Sequence, residues 1–239
     1  TKKERKMKNK KFLFIALMIA LTIVSCKGKE KEATADTAAQ TEATADTTDK
    51  TKEEKGNLTK EQENALVFGA VLTTKNGMSF NDLEAEDYKD ASIQVLGSSW
   101  DVKDTATAKA ELRTPEAAAG NSAEYQAYED VKKNLTSDYG YTAEQIDGIK
   151  TISAWDYDRL VNVARFSYSA GYITEQEMWD YINKAVTQAK NDYNSWEEYF
   201  AGVMLGRTLA YGKPFADSKA QADALLKDDK SVYKTHSFK

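Results

Sequence analysis

Four helix-start motifs, spread over residues 59 to 198, restrict the fold of this sequence more than any other feature. In each motif a Thr or Ser is followed three residues later by Gln or Glu, a spacing typical of the capping box, in which two unpaired backbone donors are satisfied reciprocally. The pairs are Thr59–Gln62, Thr142–Gln145, Thr174–Glu177 and Ser195–Glu198. Because the apolar residues that follow recur at helical spacing and sustained alternation is missing, the sequence predicts an all-α fold.

The helical pattern predicts a single compact domain over residues 58–228, with roughly seven or eight helices, followed by a flexible tail at 229–239. One apolar stripe consists of Met178, Ile182, Ala185, Val186 and Ala189, and another of Trp196, Phe200 and Val203. A further helix is predicted over residues 152–170. Gly171 follows it, at the position where a left-handed glycine commonly ends a helix.

Charged residues interrupt the apolar stripe of the helix predicted at 152–170. Its stripe consists of Ile152, Trp155, Val163, Phe166 and Ala170. Asp156 and Arg159 fall on the same side of this helix when 100° is assigned to each residue. The stripe that begins at Trp196 likewise continues into Arg207, while Gly202 and Gly206 leave a groove on an adjoining face. The sequence therefore aims three charged side chains at the interior.

Two interpretations of these charged side chains remain open, of which the first is favoured. In the first, Asp156 is clamped by Arg159, Arg207 or both and is enclosed by Trp155 and Trp196, because a planar guanidinium binds a carboxylate through two hydrogen bonds and stacks on indole. Such an ion-pair network fixes a packing arrangement more than it adds stability. In the second, the cluster is an anion pocket or a carboxylate acid/base site.

The inventory of reactive side chains excludes most catalytic machinery. The only histidine is His236 and the only cysteine is Cys26, so a His-dependent triad, a thiol nucleophile and a His-rich zinc site are not expected. No metal and no cofactor is predicted. Carboxylates such as those of a glycosidase remain, at Asp156, Asp158, Glu197 and Glu198. The last two are explained more simply as first-turn acids that the helix dipole favours.

Residues 1–26 have the composition of a secretory signal peptide. Residues 1–11 carry seven basic residues and one acidic residue, and a 13-residue apolar run follows from Phe12 to Val24. That run is shorter than the roughly 20 residues that a membrane-spanning helix needs. Ile23 to Cys26 resembles the lipobox of bacterial lipoproteins, with Ile23 where Leu is usual. This resemblance implies acylation of Cys26, with palmitate among the attached chains.

Residues 27–57 are predicted to be a disordered low-complexity linker. They are rich in Thr, Ala, Glu, Asp and Lys and contain no aromatic residue, so they cannot bury enough apolar surface to offset their ordering entropy. Lys27 after the cysteine resembles the sorting signal of outer-membrane lipoproteins. The expected location is therefore the bacterial cell envelope, on the periplasmic face or the surface of the outer membrane.

Net charge argues against a nucleic acid partner. The whole sequence has a formal charge of −5, and without residues 1–26 it has 26 basic and 37 acidic residues, a net charge of −11. Such a chain is repelled by phosphate backbones and anionic headgroups. Attachment to the membrane is then expected through the N-terminal acyl chains, and several chains on one Cys anchor stably.

The C-terminal part of the sequence resembles a bacterial family known as domain of unknown function 1266. The motifs that carry the resemblance are Trp155-Asp156 with Arg159, Arg165, Gly171-Tyr172-Ile173, Trp179, Ser195-Trp196-Glu197-Glu198 and Gly206-Arg207. Residues 66–83 and Ser99-Trp100-Asp101 resemble its N-terminal part. The resemblance covers about residues 62–212, with nothing aligned around 103–145. It implies an all-α fold and no established activity.

These observations favour a non-enzymatic binding or scaffolding domain, lipid-anchored at the envelope, with an envelope protein or a glycan as its partner. The alternative is a carboxylate-based hydrolase that acts on envelope glycans. An open cleft with two carboxylates about 5–10 Å apart would favour the enzyme. A closed, Trp-capped Asp–Arg cluster would favour the scaffold.

Overall fold

The structure is a computed structural model that describes residues 58–80, 83, 88–113, 126–212 and 214–239. Within these residues every regular element is helical, which confirms the all-α prediction. The first six helices are α1 (Lys60–Val67), α2 (Ala70–Lys75), α3 (Lys89–Trp100), α4 (Thr105–Leu112), α5 (Gln126–Tyr139) and α6 (Ala143–Asp147). The later ones are α7 (Ala154–Ser169), α8 (Glu175–Asp192), α9 (Trp196–Tyr211), α10 (Lys219–Ala222) and α11 (Val232–Thr235).

Seven of the described helices have eight or more residues, in line with the number predicted. A 3-10 turn at Phe215–Ser218 leads into α10, which widens into a π turn at Asp223–Lys227. None of the described helices is long and apolar enough to span a bilayer. The predicted signal peptide, Cys26 and the predicted linker lie outside the described residues.

The predicted capping boxes begin four of the helices. At Thr59, Thr142 and Thr174 both halves of the box are present. At Ser195 only one half forms: its side chain accepts from the backbone N–H of Glu198, whose own carboxylate accepts instead from the backbone N–H of Asn194 at 2.8 Å. A further box, at Asp104 and Thr107, begins α4.

Helix α7 ends at the position predicted from Gly171. Gly171 has a φ of +78°, and its N–H donates to the carbonyl of Tyr168 at 2.8 Å. The N–H of Tyr172 donates to the carbonyl of Ser167 at 2.9 Å. This pair of bonds is the Schellman motif, which satisfies carbonyls that the helix end leaves free.

Helix α7 occupies the centre of the domain. It packs against α2, α3, α4, α8 and α9, and 12 of its 16 residues are buried. The predicted apolar stripes of α8 and α9 are buried too, except that Val186 is half-exposed. Any polar side chain on α7 must therefore be satisfied inside the domain, because little of its surface meets water.

Two glycines of α9 allow the close packing that the sequence predicts. A Cβ atom on Gly206 would lie 2.5 Å from the carbonyl oxygen of Ile152 and 2.7 Å from Cβ of Trp155. A Cβ atom on Gly202 would lie 2.7 Å from the ring of Tyr193. The groove of α9 is thus filled by the start of α7 and by a tyrosine.

The C-terminal segment packs on the domain, which differs from the flexible tail expected at 229–239. The ring of Tyr233 stacks on Trp196 with a centroid distance of 4.7 Å, and Phe238 lies 4.9 Å from the same indole and 5.3 Å from Phe68. Both Tyr233 and Phe238 are buried. The sequence did not indicate that Tyr233 and Phe238 are buried, because the residues around them are polar and their spacing does not follow a helical stripe.

Candidate functional site

A row of three polar side chains runs along the buried face of α7. Asp158, Asn162 and Arg165 are spaced four and three residues apart, which places them on one side of the helix. Their exposed fractions are 0%, 0% and 2%. All three face α2, so this row, rather than Asp156 and Arg159, is the most deeply buried polar part of α7.

Asp158 caps the start of α2. One carboxylate oxygen accepts from the backbone N–H of Val71 at 2.9 Å and the other from that of Leu72 at 3.1 Å. The residue that begins this helix, Gly69, has no side chain to do so. Burial raises the pKa of Asp158 to about 8, against the effect of the two N–H groups, which lower it. Near neutral pH the group is therefore largely the neutral acid, and it caps the helix through the placement of its two oxygens.

Asn162 and Arg165 extend the network along α2. The amide of Asn162 donates to the carbonyl of Gly69 at 2.9 Å and accepts from the hydroxyl of Thr73 at 3.0 Å. Arg165 donates to the same hydroxyl at 3.2 Å and to the carbonyl of Ser79 at 2.7 Å. These side chains bind backbone and side-chain groups of the chain's own α2 region, so their observed role is to hold that region on α7.

Asp156 and Arg159 lie on a less buried side of α7, where they form a cluster with α4. The carboxylate of Asp156 is 3.6 Å from the guanidinium of Arg159, which also pairs with Glu111. The exposed fractions of these side chains are 18% for Asp156, 12% for Arg159 and 29% for Glu111. The clamp predicted around Asp156 thus exists through Arg159. Glu111, which the sequence analysis did not single out, is the second acid on that guanidinium.

An aromatic pair borders this charged cluster. Tyr211, the last residue of α9, meets Trp155 edge to face at a centroid distance of 5.5 Å and is 44% exposed. Its hydroxyl lies within electrostatic range of Asp156, Arg159 and Glu111, while burial raises its pKa. Two carboxylates, a guanidinium and an exposed ring therefore meet where α4, α7 and α9 come together. We call these five residues, Glu111, Trp155, Asp156, Arg159 and Tyr211, the α4–α7–α9 cluster.

Trp196, predicted to help enclose Asp156, and Arg207, predicted to clamp it, do not contact it. Trp196 packs against Phe68, Tyr199, Tyr233 and Phe238, and its indole N–H donates to the carbonyl of His236 at 2.9 Å. Arg207 is buried and forms no hydrogen bond or ion pair with any described residue, Asp156 included. The two arginines face different surroundings because Arg207 lies on α9 beside the 3-10 turn, whereas Arg159 faces α4.

The remaining motif residues have roles in holding the helices. Trp179 is buried and donates to Glu175 at 3.2 Å. Gly171 and Tyr172 form the end of α7. Glu197 is exposed and pairs with Lys234 at 3.8 Å, and the carboxylate of Glu198 accepts from the backbone N–H of Asn194, two residues before its own helix, as is typical of first-turn acids. Among the described residues, no three His, Cys, Asp or Glu side chains are grouped so as to hold a metal ion.

Some residues of the buried polar row and of the α4–α7–α9 cluster could not be identified from the sequence as site residues. Asn162 and Thr73 are ordinary polar residues whose significance comes from a contact 89 positions apart. Asn162 has one signal, the four- and three-residue spacing that it shares with Asp158 and Arg165. Glu111 has none, because it follows an alanine-rich helix start with no apolar stripe that would orient it.

Comparison with known proteins shows the family of the chain. The family described as "Protein of unknown function (DUF1266)" matches residues 28–238, and the chain belongs to it. The match includes residues 103–145, which the motifs left unaligned, and therefore extends over α4 and Glu111. No curated protein and no solved structure was found to match the chain.

Proposed function

We propose that this member of the DUF1266 family is a lipid-anchored domain of the bacterial cell envelope that binds an envelope protein or a glycan without catalysing a reaction. The observation that carries the binding role is the α4–α7–α9 cluster. It combines an exposed aromatic ring with paired charges at the surface, a composition common in recognition sites. The lipid anchor rests on the sequence of residues 1–26.

The state of the carboxylates favours binding over catalysis. Asp158 has both oxygens occupied by backbone N–H groups of α2 and is fully buried. Asp156 and Glu111 share the guanidinium of Arg159, so both are already engaged in ion pairs. Each of these three acids thus binds groups of the chain itself.

A second candidate is a carboxylate-based hydrolase of envelope glycans. Glu111 and Asp156 flank Arg159 and are both partly exposed, and the exposed ring of Tyr211 lies beside them. A pair of carboxyl groups flanking the scissile bond is the arrangement that glycosidases use. This candidate predicts that the cluster cuts the polymer that it binds.

One assay separates the two candidates. Residues 27–239 are incubated with purified peptidoglycan sacculi and sedimented, and the supernatant is analysed for released fragments. Binding without fragments, lost in Tyr211→Ala and kept in Tyr88→Ala, is the expected result, since Tyr88 is a comparably exposed tyrosine at 49%. Fragments that disappear in Glu111→Gln would establish the hydrolase. If the sacculi are not bound, cross-linking in cells must capture an envelope protein through Tyr211, and failure of both contradicts the proposal.

The anchor is tested by Cys26→Ser. In a Gram-negative host fed an alkyne-labelled palmitate, the parent chain should carry the label and sediment with membranes. The variant should lose the label and remain as uncleaved precursor or soluble protein. A variant that is still processed at the same bond and still sediments with membranes would contradict the lipid anchor.

A further inference from the structure

Arg207 is a buried arginine for which the described part of the chain supplies no hydrogen-bond or ion-pair partner. The residue is 4% exposed, almost as buried as Arg165 at 2%. Arg165 donates to Thr73 and Ser79. By contrast, none of the residues that the structure describes accepts a hydrogen bond from Arg207 or lies within ion-pair distance of it.

Such a group is costly to keep in a folded domain. A charged side chain removed from water loses its hydration, and a protein compensates with partners or suffers a loss of stability. Burial lowers the pKa of Arg207, which shows the direction of this cost. Its nitrogen atoms are not among the fully enclosed polar atoms of the domain, so the guanidinium end of the side chain keeps access to solvent.

The surroundings of Arg207 supply further polar groups. The 3-10 turn Phe215–Ser218 packs on α9, and the exposed carboxylate of Asp217 lies within electrostatic range of the guanidinium. The hydroxyl of Ser218 is buried and has no hydrogen-bond partner among the described residues. Tyr211 follows Arg207 by one helical turn and also lies within its electrostatic range. Arg207 and Ser218, for neither of which the described residues supply a hydrogen-bond partner, thus belong to elements that are in contact.

We propose that Arg207 anchors a binding site for a singly charged carboxylate, between α9 and the turn Phe215–Ser218. A guanidinium presents a planar fork that matches both oxygens of a carboxylate. The nearby negative charge of Asp217 repels a doubly charged phosphate about twice as strongly as a singly charged carboxylate, because the repulsion is proportional to the charge of the ligand. This inference deepens the proposed binding role by naming a ligand class, and it rests on that role only for the origin of the ligand.

Thermal unfolding of residues 27–239 in sodium acetate, compared with sodium chloride at equal ionic strength, tests the site. Acetate should raise the Tm of the parent chain along a saturable curve, since a ligand that binds only the folded state stabilises it. Arg207→Met keeps the aliphatic stem and should weaken acetate binding by about tenfold or more, as expected for a lost charge-assisted pair. Arg113→Met, which changes an exposed arginine at the end of α4, should bind acetate as the parent does.

The same variants distinguish a binding role from a structural one. Without acetate, Arg207→Met should melt at the parent's Tm or above it, because an unpaired buried charge has been removed. A lower Tm together with no response of the parent chain to acetate would overturn the proposal and make the guanidinium structural. A phosphate response equal to the acetate response would overturn the assignment to a singly charged ligand.

Two peptide probes identify the source of the carboxylate. N-acetyl-alanyl-alanine should bind more tightly than acetate if the site takes a peptide terminus, and its C-terminal amide should not bind. Equal binding of acetate and the free peptide acid would indicate a small free acid instead. If acetate binds but the chain neither binds sacculi nor cross-links to an envelope protein through Tyr211, the carboxylate site stands and the proposed envelope partner is wrong.

Discussion

At the scale of single residues, the contacts of Asp158 explain why a central helix has a carboxyl group in the core. Helix α2 has only six residues and begins at a glycine that cannot cap it. Its first N–H groups are buried and would remain unpaired without an acceptor, at a cost of about 1–3 kcal/mol each. Asp158 accepts from two of them at once, so one side chain of α7 makes this short helix possible.

The protonation of Asp158 makes the stability of the domain depend on pH. The pKa of this carboxyl is about 8 in the folded protein and close to 4 in an unfolded chain. Folding therefore takes up a proton between these values, and stability is present at low pH and lost as the pH rises through about 8. The loss should reach about 1.4 kcal/mol per pH unit at most.

Denaturant unfolding at pH 6 and pH 8 checks this prediction. The parent should be less stable at pH 8, and Asp158→Asn, which cannot ionise, should show little change between the two values. The variant should also be about 1–3 kcal/mol less stable than the parent at pH 6, since an amide cannot accept with both of its ends. An equal pH slope in the two proteins would show that Asp158 does not titrate in this range.

Asp156 and Glu111 both pair with Arg159, so either one should keep the guanidinium paired when the other is removed. Asp156→Ala leaves Glu111 on the guanidinium, so it should cost only about 1 kcal/mol rather than the 3–5 kcal/mol typical of a fully broken buried pair. Glu111→Ala should cost a similar amount. The double variant should lose more than the sum, because each single variant keeps one of the two acids that pair with this guanidinium. Denaturant melts of the three variants measure this coupling. Glu197→Ala, at an exposed acid, is the control and should change the stability little. Strict additivity of the two single variants would contradict a shared guanidinium.

At the scale of the elements, the close contact between α7 and α9 depends on a glycine. A Cβ atom on Gly206 would lie 2.5 Å from the backbone carbonyl of Ile152, which cannot rotate away. Gly206→Ala should therefore push the helices apart and cost about 1–3 kcal/mol. The loss should appear as a lower denaturation midpoint with an unchanged m-value.

Gly97 provides the matched control for that substitution. It is also helical, in α3, and a Cβ atom there would meet only the carbonyl oxygen of Val102, at 3.9 Å. Gly97→Ala should be neutral or stabilising by up to about 1 kcal/mol, because alanine favours helices. If the two variants lose equal stability, helix propensity and not the α7–α9 contact governs the effect.

The sequence predicted those helices whose signals are local. The capping boxes predicted where α8 and α9 begin, and Gly171 predicted where α7 ends, each to within two residues of the observed boundary. These signals can be recognised because they act over three to five positions. Helix α2 carries no comparable signal. Its cap comes from Asp158, 87 positions later along the chain, and such a long-range partner cannot be identified from a single sequence.

The same limit applies to the candidate site at the scale of the whole molecule. Helical spacing correctly brought Asp156 and Arg159 together, since they are one turn apart on α7. Helical spacing could not identify the next residue that contacts this pair. The candidates Arg207, Trp196 and Glu111 lie on other helices, and the packing of those helices on α7 decides which one makes the contact. In the structure Glu111 pairs with Arg159, whereas Trp196 packs against Phe238.

The C-terminal end of the chain should be required for stability. Phe238 is buried between the rings of Phe68 and Trp196. Phe238→Ala should cost about 3 kcal/mol, toward the lower end for buried phenylalanines because the site is at a chain terminus. The adjacent exposed Ser237→Ala is the control and should leave the Tm unchanged. A Tm of Phe238→Ala within error of the parent would show that the C-terminal segment is not part of the cooperative domain.

The opposite expectation holds for the segment that precedes the domain. Residues 30–55 have no aromatic residue and are mostly small or charged, so they can contribute little apolar burial. Deleting them should leave the Tm of residues 27–239 within error while shortening the reach of an anchored domain. Calorimetric melts of the deletion variant and the parent measure the first effect. Since the family match begins at residue 28, a clear drop in Tm would mean that this segment packs on the domain, and the predicted boundary at residue 58 would then move toward the N-terminus.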